Sequence, residues 1–223
     1  AASDVYKRQK YKDIDDILNV GNAEVKTLLT RMIASLRKAF SSDSIHIGMD
    51  EAYNLGRGRY LDENGLKHRL VIMQEHLAFM KTLCKTYGFK PIVWDDMFFR
   101  CYFNNKGDVD PVIPTQVGLM YWDYYSCLTK HYRDHLKLCR SIAKKPMFAG
   151  GAWRWTGYVP HHKKTLEVTL AAIAACRKER TNKYKLQAQS NSAKSSSSTS
   201  QHGFCFILNQ HEEYILEQQS TTF

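Results

Sequence analysis

The sequence predicts an α/β fold in which helices cover short parallel strands. Short, nearly continuous apolar stretches alternate with longer helical patterns between Lys10 and Lys178, which is typical of a parallel sheet buried on both faces. Acidic and aromatic residues directly follow each predicted strand, as they do at the active-site end of a (β/α)₈ barrel. An open doubly wound sheet would also alternate, but no Gly-rich phosphate loop follows any strand. We therefore predict an α/β chain that forms an incomplete (β/α)₈ TIM barrel with about four of its eight βα units.

The strands and helices are predicted from apolar periodicity. The predicted strands are Ser44 to Gly48, Lys90 to Trp94, Val117 to Tyr121, and Lys145 to Ala149. The apolar face of the first helix contains Val25, Leu28, Leu29, Met32, Ile33, Leu36 and Phe40. That of the second contains Leu66, Leu70, Met73, Leu77, Met80, Cys84 and Tyr87, and Gly88 lies where this helix should stop. A third helix should run from about Thr129 to Ala143, and Leu166, Leu170 and Ile173 mark a last helix ending near Lys178.

The chain divides into three segments. Residues 1–9 show no periodicity that continues into the next segment, and we interpret them as adaptor residues from cloning. Residues 10–178 carry the barrel pattern. Residues 179–223 lose that pattern, and Ser190 to Ser200 is largely serine. We interpret this tail as low-complexity or frameshifted sequence that is foreign to the fold and disordered.

Composition excludes several classes of protein. The formal net charge of +10 lies upstream of Thr181, but it is spread over helix faces between acidic neighbours. We therefore expect a solvated basic surface and no nucleic-acid partner. No apolar run approaches the roughly 18 to 20 residues of a membrane helix, so we expect no membrane span. The six cysteines show no CxxC spacing, which favours a reducing compartment and a cytoplasmic or nucleocytoplasmic location.

The strongest candidate for chemistry is the adjacent pair Asp50 and Glu51, which follows an apolar strand. Such a pair at a strand end is most often a helix cap or a solvated turn. Here the strand provides a rigid support, Gly48 allows close approach of the backbone, and further acids and tryptophans are expected at the same barrel end. This combination suits a sugar, because aromatic faces stack on its C–H surface while carboxylates bind its hydroxyls.

Four ordered motifs carry a family resemblance. His46, Gly48, Asp50 and Glu51 form the pattern H-x-G-x-D-E, which resembles the signature of glycoside hydrolase family 20. VWDDMF at 93–98, YWDYY at 121–125 and GAWRWTGY at 151–158 occur in the family's order. The resemblance covers about Ile14 to Lys178 and is nearest to the branch that contains hexosaminidase D. It implies that residues 10–178 are a partial catalytic domain of a β-N-acetylhexosaminidase, whose partner is an N-acetylhexosamine-containing glycan and which needs no cofactor or metal.

The resemblance also implies a retaining reaction in which the substrate supplies its own nucleophile. The 2-acetamido carbonyl oxygen would attack the anomeric carbon and form a cyclic oxazolinium intermediate. Glu51 would be the general acid that protonates the leaving oxygen and then the base that activates water. Asp50 would orient the acetamido N–H and stabilise developing positive charge. The charge on Asp50 should disfavour ionisation of Glu51, so that the two carboxyls differ in protonation.

Eight further residues are expected to bind the substrate. They are His46, Trp94, Asp95, Tyr121, Asp123, Tyr124, Trp153 and Trp155. The three tryptophans would form walls around the acetamido group and the ring, although one of Trp153 and Trp155 should merely pack. Tyr121 would donate a hydrogen bond to the acetamido oxygen, with Tyr124 as the competing candidate, and Asp123 would bind a hydroxyl. Asp95 would bind hydroxyls or position neighbours, and we interpret His46 as a buried histidine held by hydrogen bonds.

Two parts of the family pattern have no counterpart in the sequence. Early strands with an arginine for the sugar hydroxyls should precede Lys10, and a last strand with a tryptophan that closes the acetamido pocket should follow Lys178. Such a chain leaves parallel strand edges unpaired. We therefore expect the chain alone to be poorly folded and inactive.

The sequence leaves two alternative functions open. A metal-dependent barrel hydrolase would use His46, Asp50, Glu51 and Asp95 as ligands, but the sequence contains no HxH or HExxH motif. A non-catalytic sugar-binding or interaction module would keep the aromatic surfaces without any chemistry.

Overall fold

The computed structural model of the 223-residue chain describes residues 9–14, 16–99, 116–143, 145–153, 158–179 and 205–206. These residues form two compact units that divide between Gly118 and Leu119. Most of the predicted adaptor and most of the predicted tail lie outside the described residues, so both interpretations stay predictions. Within the described ranges, no helix is long and apolar enough to cross a membrane.

The first unit alternates helices with two parallel strands. After a 3₁₀ helix at Gln9–Tyr11, its elements are α1 (Ala23–Ala39), β1 (Ser44–His46), α2 (Arg59–Asn64), α3 (Arg69–Thr86) and β2 (Lys90–Trp94), followed by a helical segment at residues 96–99. β1 and β2 pair in parallel with Ser44 opposite Lys90 and His46 opposite Ile92. Because helices lie between parallel strands in the chain, this unit confirms the predicted βα pattern.

Helix α1 shows how local sequence and packing together set an element. The Asn22 side chain accepts hydrogen bonds from the N–H groups of Glu24 and Val25, a cap worth about 1 kcal/mol. Arg37 and Lys38 in the last turn complement the helix dipole. The buried stripe is narrower than predicted, because Met32 and Phe40 are more than half exposed.

The core of the first unit lies between α1, α3 and β1. Ile33, Met80, Leu83, Cys84 and Phe89 form its buried cluster, and Leu29, Leu36, Ile45 and Ile47 pack against it. The predicted second helix begins later than expected, at Arg69, and Leu66 is exposed outside it. Its end is as predicted, since Gly88 has a φ of 71° in the left-handed region that glycine favours. Helix α2 was not predicted.

The second unit contains β3 (Gly118–Trp122), α4 (Thr129–Ile142), β4 (Met147–Gly150), α5 (His162–Lys178) and β5 (Cys205–Phe206). β3 pairs in parallel with β4, with Tyr121 opposite Phe148, and α4 provides the crossover between them. β5 pairs in parallel with β4, with Ala149 opposite Cys205. This two-residue strand was not predicted, because the sequence after Arg180 lacks a βα pattern.

The face of α5 that packs on the unit differs from the predicted one. Leu166 and Leu170 are 61% and 56% exposed. The buried face consists of mostly small side chains, which are Val168, Ala171, Ala172, Ala175 and Cys176. Tyr132, Leu136 and Cys139 are the buried residues of α4, which packs against α5. Small residues let the two helix backbones come close, so here the leucines face solvent.

The described cysteines agree with the predicted absence of a disulfide framework. None of Cys84, Cys127, Cys139 and Cys176 belongs to a disulfide, and each of them except Cys127 is buried. A buried thiol outside a disulfide packs as a small hydrophobic group.

A buried carboxylate connects α4 to the end of α5. Glu179 is buried and accepts hydrogen bonds from Arg133 Nε at 2.9 Å and Arg140 Nη1 at 3.5 Å.

We expect Glu179→Gln to lower the free energy of unfolding by about 1–3 kcal/mol, because it leaves the arginines without their charged acceptor. Urea denaturation of the full chain measures this. The control is Glu167→Gln, whose exposed pair with Lys163 is 4.0 Å long and should contribute less than about 0.5 kcal/mol. Equal losses would contradict the prediction, and cooperative unfolding would contradict the expectation that the chain is poorly folded.

Candidate active site

The parallel pairing of β1 and β2 places the Asp50–Glu51 loop beside the end of β2. Past the end of β1, the Ile47 N–H donates to the Ile92 carbonyl at 2.9 Å, and the Trp94 N–H donates to the Gly48 carbonyl at 3.1 Å. These bonds continue the ladder to the start of the loop. The Asp50–Glu51 pair therefore leaves the sheet where the residues after β2 also leave it.

The backbone of this loop is strained. Gly48, Met49 and Glu51 have φ values of 76°, 76° and 46°. For the two non-glycine residues, such a conformation costs about 1–3 kcal/mol each and persists only where surrounding structure imposes it. Among the described residues, a side chain at Gly48 would meet only Asp50 Oδ1, at 3.7 Å. The positive φ of Gly48 by itself favours glycine at this position, and the predicted close approach to its backbone stays a prediction.

Asp96 holds the catalytic candidate Glu51 by its backbone. The Glu51 N–H donates to Asp96 Oδ2 at 3.1 Å, and the Asp96 side chain is buried. Reasoning from sequence missed this residue, although it is part of the motif at 93–98. Asp95 and Asp96 are adjacent just after β2, and the sequence alone does not show which of the two contacts the pair.

The ionisation of Asp50 is perturbed by its surroundings. Partial desolvation raises the pKa of the Asp50 carboxyl above its ordinary value, and the nearby Asp16 carboxylate raises it further. A backbone hydrogen bond acts in the opposite direction. The proton affinity of Asp50 is thus raised above that of an ordinary aspartate carboxyl. Asp16, in the segment before α1, is a second residue that sequence reasoning missed.

His46 is a neutral, half-buried histidine. Its Nδ1 accepts the Gly48 N–H at 3.1 Å, and burial lowers the pKa of the imidazole to about 4. Among the described residues, Nε2 is buried without a hydrogen-bond partner. The ring lies against Trp94, with centroids 4.2 Å apart and planes tilted by 48°. This arrangement agrees with a structural histidine that orients the Trp94 ring.

Trp94 and Asp95 differ in their access to a ligand. Trp94 ends β2 and is partly exposed beside His46. Asp95 is only 1% exposed, which favours the positioning of neighbours over the binding of sugar hydroxyls. No three of the four ligands of the metal-hydrolase alternative, all of which are described, bring their donor atoms within 4.8 Å of one another. This geometry does not assemble the metal site of that alternative.

In the second unit, Tyr121 and Asp123 form a hydrogen-bonded pair. The buried Tyr121 hydroxyl donates to Asp123 Oδ2 at 3.0 Å, and its ring stacks on His135 with centroids 4.1 Å apart. His131 Nε2 lies 2.7 Å from the same Asp123 oxygen. The Tyr125 N–H donates to Asp123 Oδ1 at 2.9 Å. Asp123 is thus rigidly held, and the exposed His131 is a neighbour that the sequence did not reveal.

Tyr124 and Trp153 form a second aromatic group. Trp153 Nε1–H donates to the Tyr124 carbonyl at 2.6 Å, and the Trp153 N–H donates to Thr165 Oγ1 at 2.9 Å. The edge of the exposed Tyr125 ring meets the Trp153 ring at 5.4 Å, and Lys164 Nζ lies 5.7 Å from the Trp153 centroid. Trp155 lies outside the described residues.

The pKa of His46 predicts a pH dependence of stability. Because the folded-state pKa of about 4 is below the ordinary value of 6.5, the unfolded chain binds a proton first as the pH falls. Stability should therefore be lost between pH 6.5 and pH 4, by on the order of 3 kcal/mol. Urea denaturation at several pH values measures this. His46→Gln should flatten the profile in that window, and an unchanged slope in the variant would contradict the prediction.

The raised pKa of Asp50 predicts the opposite trend. Because the folded chain holds the proton more tightly, stability falls as the pH rises above the ordinary value of 3.8. Relative to the unsubstituted chain, Asp50→Asn should therefore raise the melting temperature more at pH 7 than at pH 3. Asp16→Asn should recover part of this gain, because it removes a neighbouring charge. A destabilising Asp50→Asn at pH 7 would contradict this explanation.

Comparison with a family model agrees with the sequence motifs. The sequence model of "Glycosyl hydrolase family 20, catalytic domain" matches residues 1–198. Among solved structures, the chain is similar to a β-N-acetylhexosaminidase from Bacteroides fragilis NCTC 9343, with 21% identity and a TM-score of 0.41 over 64% of this chain and 28% of that chain. The chain thus spans well under half of that relative. A search of curated proteins found no match. Because the family model covers most of the chain, the protein belongs to glycosyl hydrolase family 20.

Proposed function

We propose that this chain carries the acid–base part of the active site of a retaining β-N-acetylhexosaminidase that acts on N-acetylhexosamine-containing glycans. The observation that carries the proposal is the strained Asp50–Glu51 loop, which is held by Asp96 beside the Trp94 ring. Strain of this kind at a pair of carboxyls is typical of a functional site. Membership of a glycosyl hydrolase family, with its incomplete (β/α)₈ barrel, gives that site its reaction class.

The two carboxyls would divide the reaction between them. The acetamido carbonyl oxygen bonds to the anomeric carbon as the glycosidic C–O bond breaks, and Glu51 gives its proton to the leaving oxygen. Glu51 then takes a proton from the water that opens the oxazolinium ring. The acetamido N–H becomes more acidic as positive charge develops in the ring. Asp50 accepts this N–H, and its raised pKa makes it a stronger acceptor for an acidic donor.

The ring of Trp94 would provide an apolar wall for the acetamido methyl group. It is partly exposed, and His46 supports it from one side. The substrate-binding roles of Tyr121, Asp123, Tyr124, Trp153 and Trp155 stay predictions.

Binding of an intermediate analogue tests the proposed site without requiring turnover. We expect calorimetry of the full chain to show saturable binding of a thiazoline analogue of the N-acetylglucosamine oxazolinium. Asp50→Ala should weaken this binding by about 10- to 100-fold, because it removes a charge-assisted hydrogen bond. The control is Asp62→Asn, which changes an exposed carboxylate on α2. Glu51→Gln should retain binding, since Glu51 transfers protons. Absence of binding to the unsubstituted chain would overturn the proposal.

Turnover of an aryl N-acetyl-β-glucosaminide separates the catalytic function from the sugar-binding alternative. From the sequence we expect no turnover by the chain alone, so binding is the first readout. Any turnover that occurs should disappear in Glu51→Gln, and turnover that survives this substitution would refute the acid role. Binding that Asp50→Ala leaves unchanged would favour a sugar-binding module.

A further inference from the structure

We propose that Asp13 is a positioning residue for the Asp50–Glu51 loop, a role that rests on the proposed function of that loop. Asp13 lies about forty residues before the pair and outside every motif of the family resemblance. Its side chain is only 7% exposed. A carboxylate that is taken out of water needs hydrogen-bond donors around it.

The donors that surround Asp13 come from the far end of the loop. Oδ2 accepts the Gly56 N–H at 2.6 Å. Oδ1 accepts the N–H groups of Gly58 at 3.1 Å and Tyr60 at 2.8 Å. The main-chain carbonyl of Asp13 also accepts the Arg59 N–H at 3.1 Å. One residue therefore fixes the backbone of four positions between the loop and the first turn of α2.

The close approach of the Asp13 backbone requires Gly58, and a positive φ favours glycine at position 56. A side chain at Gly58 would place its Cβ 2.3 Å from the Asp13 carbonyl oxygen. At Gly56, φ is 72°, and a Cβ would lie 2.2 Å from Ile72 Cδ1. The Gly56-Arg57-Gly58 sequence thus fits against Asp13. Arg57 does not extend freely from it, because its Nη1 donates to the carbonyls of Gly56 and Lys67.

The segment that carries Asp13 is itself held in shape. The Asp13 N–H donates to the Ile17 carbonyl at 2.8 Å, and Lys12 pairs with Leu18 in an antiparallel bridge. The Asn19 N–H donates to the Tyr11 carbonyl at 2.9 Å. Residues 11–14 and 16–19, which we call the anchor hairpin, therefore present Asp13 from a backbone that the Lys12–Leu18 bridge closes. The same hairpin carries Asp16, whose charge acts on Asp50.

The segment between Glu51 and the contacts of Asp13 is short, and hydrogen bonds restrict its backbone. The Tyr53 N–H donates to the Glu51 carbonyl at 2.7 Å, the Leu55 N–H donates to the Ala52 carbonyl at 3.2 Å, and Leu55 is buried. The loop is held at Gly48 by β2 and at Gly56 by Asp13. Fixing both ends of so short a segment restricts the backbone of the pair between them. A shift of the second end would release the positive φ of Glu51.

Amide hydrogen exchange and analogue binding on the full chain test this role. Asp13→Asn keeps the shape of the side chain, but its amide group must face at least one N–H donor of the loop. We expect exchange of the amides in residues 49–55 to increase by about tenfold or more, and affinity for the thiazoline analogue to fall by about tenfold. The matched control is Glu179→Gln, which also turns a buried carboxylate into an amide but lies in the second unit, where Glu179 contacts Arg133 Nε at 2.9 Å. It should lower the melting temperature but leave both readouts within about twofold.

The outcomes separate this proposal from the proposed function. Equal exchange in 49–55 for Asp13→Asn and Glu179→Gln would overturn the positioning role and leave Asp13 as a residue that only stabilises the fold. If the unsubstituted chain does not bind the analogue, the proposed function fails, but the exchange measurement still decides the role of Asp13. Should Asp13→Asn fail to fold, Gly58→Ala forces the loop away from the carbonyl of Asp13 while retaining the carboxylate. Unchanged exchange in Gly58→Ala would then refute the proposal.

Discussion

The hydrogen bond from the Glu51 N–H to the buried Asp96 carboxylate is the interaction on which the rest of the candidate site depends. It joins the segment that leaves β1 to the segment that leaves β2, at positions 45 residues apart in the sequence. The positive φ of Met49 and Glu51 works against this conformation by about 1–3 kcal/mol each. A hydrogen bond to a charged acceptor stabilises by about 1.5–3 kcal/mol. Two strained residues together cost about 2–6 kcal/mol, so one such bond offsets the strain only at the lower end of that range. The contacts of Asp13 provide a further anchor at the other end of the loop.

The predictable part of the fold is the part in which large apolar side chains determine the packing. The strand Lys90–Trp94 has the predicted bounds, and α3 ends at the predicted glycine. The predicted packed face of α5 was wrong. Alanine carries little hydrophobic signal in a sequence, although it allows close helix packing. Leu166 and Leu170 carry a strong hydrophobic signal but face solvent. Helix α2 was missed because it has six residues and lies between two glycines, which usually indicate a loop.

The candidate site was predictable where its residues follow strands directly. Asp50, Glu51 and Trp94 could be named because a parallel α/β fold places strand ends together. Asp96, Asp13 and Asp16 could not, since they act through contacts that join distant positions and leave no periodic trace in the sequence. The bonds of Asp13 join residues 43 to 47 positions apart. Among these positions, only Gly58 could have indicated that another backbone approaches closely there.

The electrostatics of the loop agree with a reaction whose charge develops on the substrate. His46 stays neutral at physiological pH, since burial lowers its pKa to about 4, so it adds no positive charge that would oppose a cationic intermediate. The pKa of Asp50 is raised, in part by the charge of Asp16. In the proposed mechanism, a neutral acetamido N–H is a weak donor, and Asp50 gains little from binding it in the ground state. As the oxazolinium forms, the donor becomes acidic and the hydrogen bond to Asp50 strengthens. Since only interactions that strengthen toward the transition state accelerate a reaction, a carboxylate of raised proton affinity is better suited to this position than one with an ordinary pKa.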